Sequence, residues 1–223
     1  MEAFVSPEFW LNAVMGLVIF ILSLTVHEYA HAWSAYLLGD DTAAREGRLP
    51  LNQIPHLDPI GTILKPIIVS AGLPVHGWAK PVPVNPVRLT RRMSMRAGHA
   101  VVAAAGPASN IILAIVAVAL LRLVVFSELV DGASPIRGPA AAFLYRLFYA
   151  NLGLAVFNLL PVPPLDGSRL MPRSLDPVMD VIRRYSMFAF VAIILFGREI
   201  ITYPMGLLGG LLAALFGVPP LRF

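Results

Sequence analysis

The chain has 223 residues, 57% of them apolar and only 13% charged, with a mean hydropathy of +0.74. Soluble domains are about a quarter charged, so this composition excludes a soluble enzyme, a secreted disulfide scaffold and a disordered regulator, and leaves a helical integral membrane protein. The absence of cysteine removes disulfides, thiolate metal sites and cysteine nucleophiles, and the 17 Lys and Arg against 13 Asp and Glu fit loops placed by the positive-inside rule rather than a nucleic-acid surface.

The first segment carries no charge over 9–26, eighteen residues, which meets the length of a span. Its acidic start (Glu2, Glu8) and the lack of a small-residue cleavage site set it apart from a signal peptide. Apolar character continues past His27, which predicts one long helix ending at Gly39. A second apolar stretch, 59–79, is interrupted by Lys65, Pro66, Gly72, Pro74 and Gly77 and leads into GWAKPVPVNP at 77–86. Proline at that density restricts extended backbone to an edge. At membrane depth such backbone must be buried in protein or line a wet cavity, so the stretch is predicted to be re-entrant. The third segment, 97–121, is uncharged for 25 residues, and the fourth, 147–165, for 19, ending in a cluster of prolines. The linker 127–139 is the most loop-like stretch. Two C-terminal runs follow, 185–197 with 13 uncharged residues and 200–221 with 22.

The expected fold class is therefore an all-α integral membrane protein with about five to six transmembrane helices and a re-entrant β element. It forms one domain over 1–223, with a core at about 9–175 and C-terminal spans at about 180–221. Lys and Arg number eight in 39–99, three in 122–146 and four in 166–184. With alternating spans the first and last of these share a side, which the positive-inside rule makes cytoplasmic, leaving the N-terminus external.

Ionisable groups inside a span cost roughly 2.5 kcal/mol or more at its centre, and they mark function by default. The first helix carries three such polar residues near its cytoplasmic end: His27, Glu28 and His31, spelling HEYAH. Residues i and i+4 sit one turn apart on one helix face, so the two imidazoles can share one zinc ion, with the glutamate placed to act on a water there. A lone histidine on an apolar face is usually an interior residue, but two with a glutamate in an otherwise uncharged span are not.

A catalytic zinc takes a third protein ligand and keeps a position open. The remaining candidates are His56, His76 and His99, and among acidic residues Asp58, Glu128, Asp131, Asp166 and Glu199. Asp166 follows the fourth span on the side of His31, in NLLPVPPLDG at 158–167. Prolines 161, 163 and 164 break the helix there, and Gly167 permits close backbone approach. An N-cap for the next helix is the plainer role for Asp166; the unfilled zinc position favours a ligand. His56 and Asp58 fit an Asp-Pro turn better than support of a zinc ligand, and Trp10, Trp33 and Trp78 fit interfacial anchors.

HEYAH in a first span, GPASN at 106–110 in a third and NLLPVPPLDG closing a fourth resemble, in order and spacing, the site-2 protease family of intramembrane zinc metalloproteases. The stretch 77–86 is similar to the re-entrant β element of its small bacterial and archaeal members. The resemblance implies that His27, His31 and Asp166 bind one Zn2+ per chain and that Glu28 is the general base. It also implies functional roles for Asn110 and Asn158, residues otherwise read as interhelical glue. Single-span membrane proteins in the lipid bilayer of a prokaryotic cell (inner) membrane are the expected partners, with no nucleic acid. The PDZ and CBS domains of some relatives do not fit the short loop 122–146 or the residues after Phe216, so a minimal core is expected. Three other readings are a metalloprotease with Glu199 as third ligand, an ion-binding transporter, and an inactive scaffold of the same fold.

Overall fold

The structure is a computed structural model that describes residues 6–46, 83–90, 92–131 and 137–218. Helix α1 runs Pro7–Leu37. It starts sharply because Ser6 accepts the Phe9 N–H at 3.2 Å and Pro7 brings a preset φ to the first turn. It ends as predicted at Gly39, whose φ of +100° closes the helix while Asp40 N donates back to Ala35 O at 2.9 Å. After a one-turn α2 (Thr42–Arg45) and a 3-10 turn (Pro86–Arg88) comes α3, Met95–Asp131, then α4, Arg137–Asn158. A one-turn α5 (Gly167–Leu170), a 3-10 turn (Arg173–Leu175) and α6 (Asp176–Arg184) lead into α7 (Ser186–Phe196) and α8 (Arg198–Leu215).

Three helices are long and apolar enough to cross a membrane: Pro7–Leu37, Met95–Val124 and Gly138–Asn158. The two C-terminal runs, counted separately in the sequence, meet at a 64° bend and make a fourth only as a pair. Eleven residues of α7 rise about 16 Å, half a hydrocarbon core. Among the described residues there are thus three spans, or four with the bent pair, and no strand. The predicted re-entrant element lies outside the described residues apart from 83–86, which enter the 3-10 turn. His56, Asp58, His76 and Trp78 lie outside them as well.

Two boundaries differ from expectation for one reason. Counting uncharged residues stopped at Arg122 and began again after Arg146, yet both arginines sit within helices. Arg122 lies over the Phe126 ring at 5.4 Å, and Arg146 reaches Asn12 Oδ1 at 2.8 Å. A long cationic side chain finds such partners while its helix continues. The linker expected at 127–139 is consequently helical at both ends.

α1, α3 and α4 pack as the core, with α8 against α4. In lipid, apolar burial does not drive helices together, so close approach depends on small residues and polar contacts. Ala114 and Ala117 line the α3 face, and Gly209 of α8 meets the Tyr149 ring. Outward faces are apolar instead: Leu11, Val14 and Val18 on α1, Ile112 and Leu123 on α3. Trp33, stacked between Tyr29 and Tyr36, and Trp10 are exposed toward opposite ends of α1, as expected of interfacial anchors.

Candidate metal centre

Buried polar residues gather where α1, α3 and α4 meet: Ser23, His27 and His31 from α1, Asn110 from α3, Asn151 from α4, with Asp166 just beyond. Ser23, His27 and His31 are spaced i, i+4, i+8 and so form a stripe along one face. His31 and His27 lie about 9 and 15 Å from the end of α1 at 1.5 Å per residue.

Asp166 arrives through the proline segment. Leu160, Val162 and Leu165 make tight backbone turns, the Pro163–Pro164 bond is cis, and Gly167 packs directly on the carbonyls of Leu159 and Leu160. A Cβ at 167 would enter those carbonyls, so the glycine is required there. Asp166 does sit at the N-cap of α5, but its side chain caps nothing. Its Oδ2 lies 3.2 Å from both His27 Nε2 and His31 Nε2, and Arg169 holds Oδ1 at 3.1 Å.

The orientation of both imidazoles follows from their other nitrogens. His31 Nδ1 is 2.7 Å from the Val102 carbonyl, which only accepts, so Nδ1 donates. His27 Nδ1 is 2.6 Å from Asn110 Oδ1. That amide is itself oriented: Asn110 Nδ2 donates to Asn151 Oδ1 at 2.8 Å and to Ser23 O at 3.3 Å. Asn151 in turn donates to Ser23 Oγ at 2.9 Å and Leu147 O at 2.8 Å. His27 Nδ1 therefore donates too, and both Nε2 lone pairs point inward, 3.0 Å apart. Two nitrogen lone pairs and a carboxylate oxygen facing one another in a buried space suit a shared cation. Bonds of about 2.0–2.1 Å at tetrahedral angles set ligand atoms about 3.3 Å apart. The observed 3.0, 3.2 and 3.2 Å fit that spacing, and two imidazoles with one carboxylate are a donor set that catalytic zinc sites use.

Glu28, between the histidines, is half-buried. Asn110 is brought into the centre through His27. Asn158 is not: it ends α4 and donates to its own helix at Leu154 O, 3.0 Å away. Glu199 is exposed in the first turn of α8, apart from the cluster. Sequence reasoning missed Asn151 and Ser23; their signal was helical spacing, Ser23 one turn before His27 and Asn151 two turns before Asn158. Asn110→Ala is expected to weaken zinc affinity about 10–100-fold, the usual cost of removing a partner behind a metal ligand. Competition with a chelator measures it, and an unchanged affinity would mean His27 holds its orientation without the amide.

The comparisons with known proteins bear on what this centre does. The chain is 41% identical over 188 residues to a Bacillus subtilis protein named "Putative zinc metalloprotease YwhC", covering 78% of this chain and 76% of that one. Residues 87–197 match peptidase family M50. The chain belongs to peptidase family M50, the site-2 protease family. A second relative, "Putative zinc metalloprotease Rip2" of Mycolicibacterium smegmatis, is 31% identical over 70% of this chain, which spans 56% of that relative's length. The Mycobacterium tuberculosis protein of the same name is 30% identical over 74% of the chain, with 58% of its own length covered. No solved structure matches the chain. The M50 match contains GPASN and NLLPVPPLDG; HEYAH precedes it.

Proposed function

We propose that this M50 chain is an intramembrane zinc metalloprotease that hydrolyses peptide bonds in or near the transmembrane segments of single-span membrane proteins. The observation that carries the reading is the convergence of His27 Nε2, His31 Nε2 and Asp166 Oδ2 among membrane helices, with Glu28 beside them in sequence. These three residues would hold one zinc per chain. When bound, the ion supplies a polarising charge for the scissile carbonyl and lowers the pKa of a water there to about 7.

The chain's own residues do the rest. Glu28 accepts the proton of the attacking water and delivers it to the leaving amine. Asn110 keeps His27 in the tautomer a ligand needs. Asn158, the last residue of α4, would orient substrate or donate to a developing oxyanion once its bond to Leu154 O is released. A helix hides its carbonyls in hydrogen bonds, so the substrate span unwinds locally before cleavage. The re-entrant β element expected at 77–86 is the edge that receives it as an added strand. The excess of Lys and Arg in 39–99 and 166–184 favours a site toward the cytoplasm of a prokaryotic cell membrane with the N-terminus outside, and the sequence segment 59–79 would add one span to the three or four found among the described residues.

The test measures zinc per chain and cleavage of a single-span substrate for detergent-purified wild type and Asp166→Ala. About one zinc and cleavage in wild type, with most of both lost in Asp166→Ala, is expected, since a site of two remaining protein ligands holds zinc weakly. Unchanged zinc in Asp166→Ala removes that residue from the ligand set; no zinc in wild type sinks the reading.

A further inference from the structure

Beside the candidate metal centre is a cavity of about 730 Å³ that no step above uses. It is lined by Arg96, His99, Arg169, Arg173 and Arg183 and, among the described residues, by no carboxylate. Three of the four guanidiniums are held by carboxylates that do not line the cavity. Asp176 grips Arg96 through both oxygens, at 2.7 and 2.8 Å, while Arg96 also donates to Met171 O at 2.7 Å. Arg169 is held by Asp166 at 3.1 Å and Arg183 by Asp180 at 2.9 Å. Arg96 beside Asp176 holds that carboxyl below its usual range, so the brace persists at neutral pH. Arg173 makes no ion pair among the described residues.

Arg169 and Arg183 each give one nitrogen to a carboxylate and keep others to donate, and with Arg96 and Arg173 they surround one space with positive charge and N–H donors suited to carboxylate or phosphate groups. The volume falls within the range of about 300–1,000 Å³ for pockets that enclose a ligand, too large for one free anion. Its walls decide the source. Pro163 and Pro164 lie on one side of Asp166, Ser168 and Arg169 on the other, so the cavity opens onto the segment that delivers the carboxylate to the metal centre. Whatever fills it lies one ion pair, Arg169 to Asp166, from the candidate metal centre.

We propose that this arginine cavity docks an acidic stretch of the substrate polypeptide, the residues that leave the membrane beside the cleaved span on the active-site side. The proposal rests on the proteolytic reading and names its substrate class: spans followed by Asp and Glu rather than by the Lys and Arg common at cytoplasmic span ends.

The test uses single-span peptides that differ in three flanking residues only: Glu, Gln or Lys. Binding to the full chain carrying Glu28→Gln, in neutral detergent, is read by fluorescence anisotropy, and cleavage by wild type is followed in parallel. The Glu peptide is expected to bind at least about tenfold tighter than the Gln peptide, the reach of one or two charge-assisted hydrogen bonds. Arg173→Glu with Arg183→Glu is expected to invert the order so that the Lys peptide binds best, a gain that misfolding cannot produce. Equal binding of all three peptides, or an order unmoved by the double reversal, overturns the proposal. Discrimination that appears only in vesicles containing anionic lipid assigns the cavity to a lipid headgroup and overturns it equally. Charge-selective binding without cleavage of any peptide would sink the proteolytic reading and leave the cavity standing; cleavage without charge selection would do the reverse.

Discussion

Glu28→Gln is expected to keep its zinc and lose about 10²–10⁴-fold of its cleavage rate, the contribution of a positioned general base. The reasoning is steric and electrostatic together. Glutamine has the volume of glutamate and keeps the half-buried position on α1 filled. It cannot accept a proton, so the water stays unactivated and the leaving amine stays unprotonated. The metal should be indifferent, because the converging atoms belong to His27, His31 and Asp166. Elemental analysis and single-turnover cleavage on the same preparation check both halves. Wild-type cleavage by the variant would end the assignment of Glu28; loss of zinc would move Glu28 from base to structural support.

Gly106→Ala should abolish metal binding with helix content intact. The residue sits where α3 crosses the histidine pair. A Cβ there would fall inside contact distance of His31 Nε2 and 2.6 Å from His27 Nε2, the two atoms that face the candidate ion. Neither imidazole can retreat, since each is tied through Nδ1 to Asn110 or Val102. Alanine is favoured over glycine within a helix by about 1 kcal/mol, so local propensity pulls the other way and a loss must come from the contact. Gly16→Ala is the control: nothing lies within 4 Å of its added carbon, and α1 should gain slightly in stability. Zinc per chain and circular dichroism distinguish the two variants. Full zinc in Gly106→Ala would show that α3 can move off α1 at little cost.

The centre was far more legible in the sequence than the helix limits. HEYAH announces itself because ionisable groups in a span are rare, and Asp166 because prolines end its helix just before it. Arg122 and Arg146 misled the boundaries because a count of uncharged residues ignores the partners a long side chain can reach. Asn110 came from a family likeness, yet its contact, a hydrogen bond across 83 residues of chain, has no local trace. Asn158 carried the same likeness and bonds only within its own helix. The arginine cavity was invisible for a related reason. Its residues come from the start of α3 and from the stretch that runs from the prolines before α5 through α6, and only folding brings them around one space.

The hydrogen bond from His31 to Val102, with that from His27 to Asn110, has a consequence for the order in which the molecule matures. The histidines enter the bilayer with α1, their orienting groups with α3, and the third converging atom only after α4 is in place. A nascent chain that has inserted one or two helices has imidazoles free to turn and no carboxylate to close the set. The three donor atoms converge only with the last of three docking events, so the helix packing itself sets when the centre is complete.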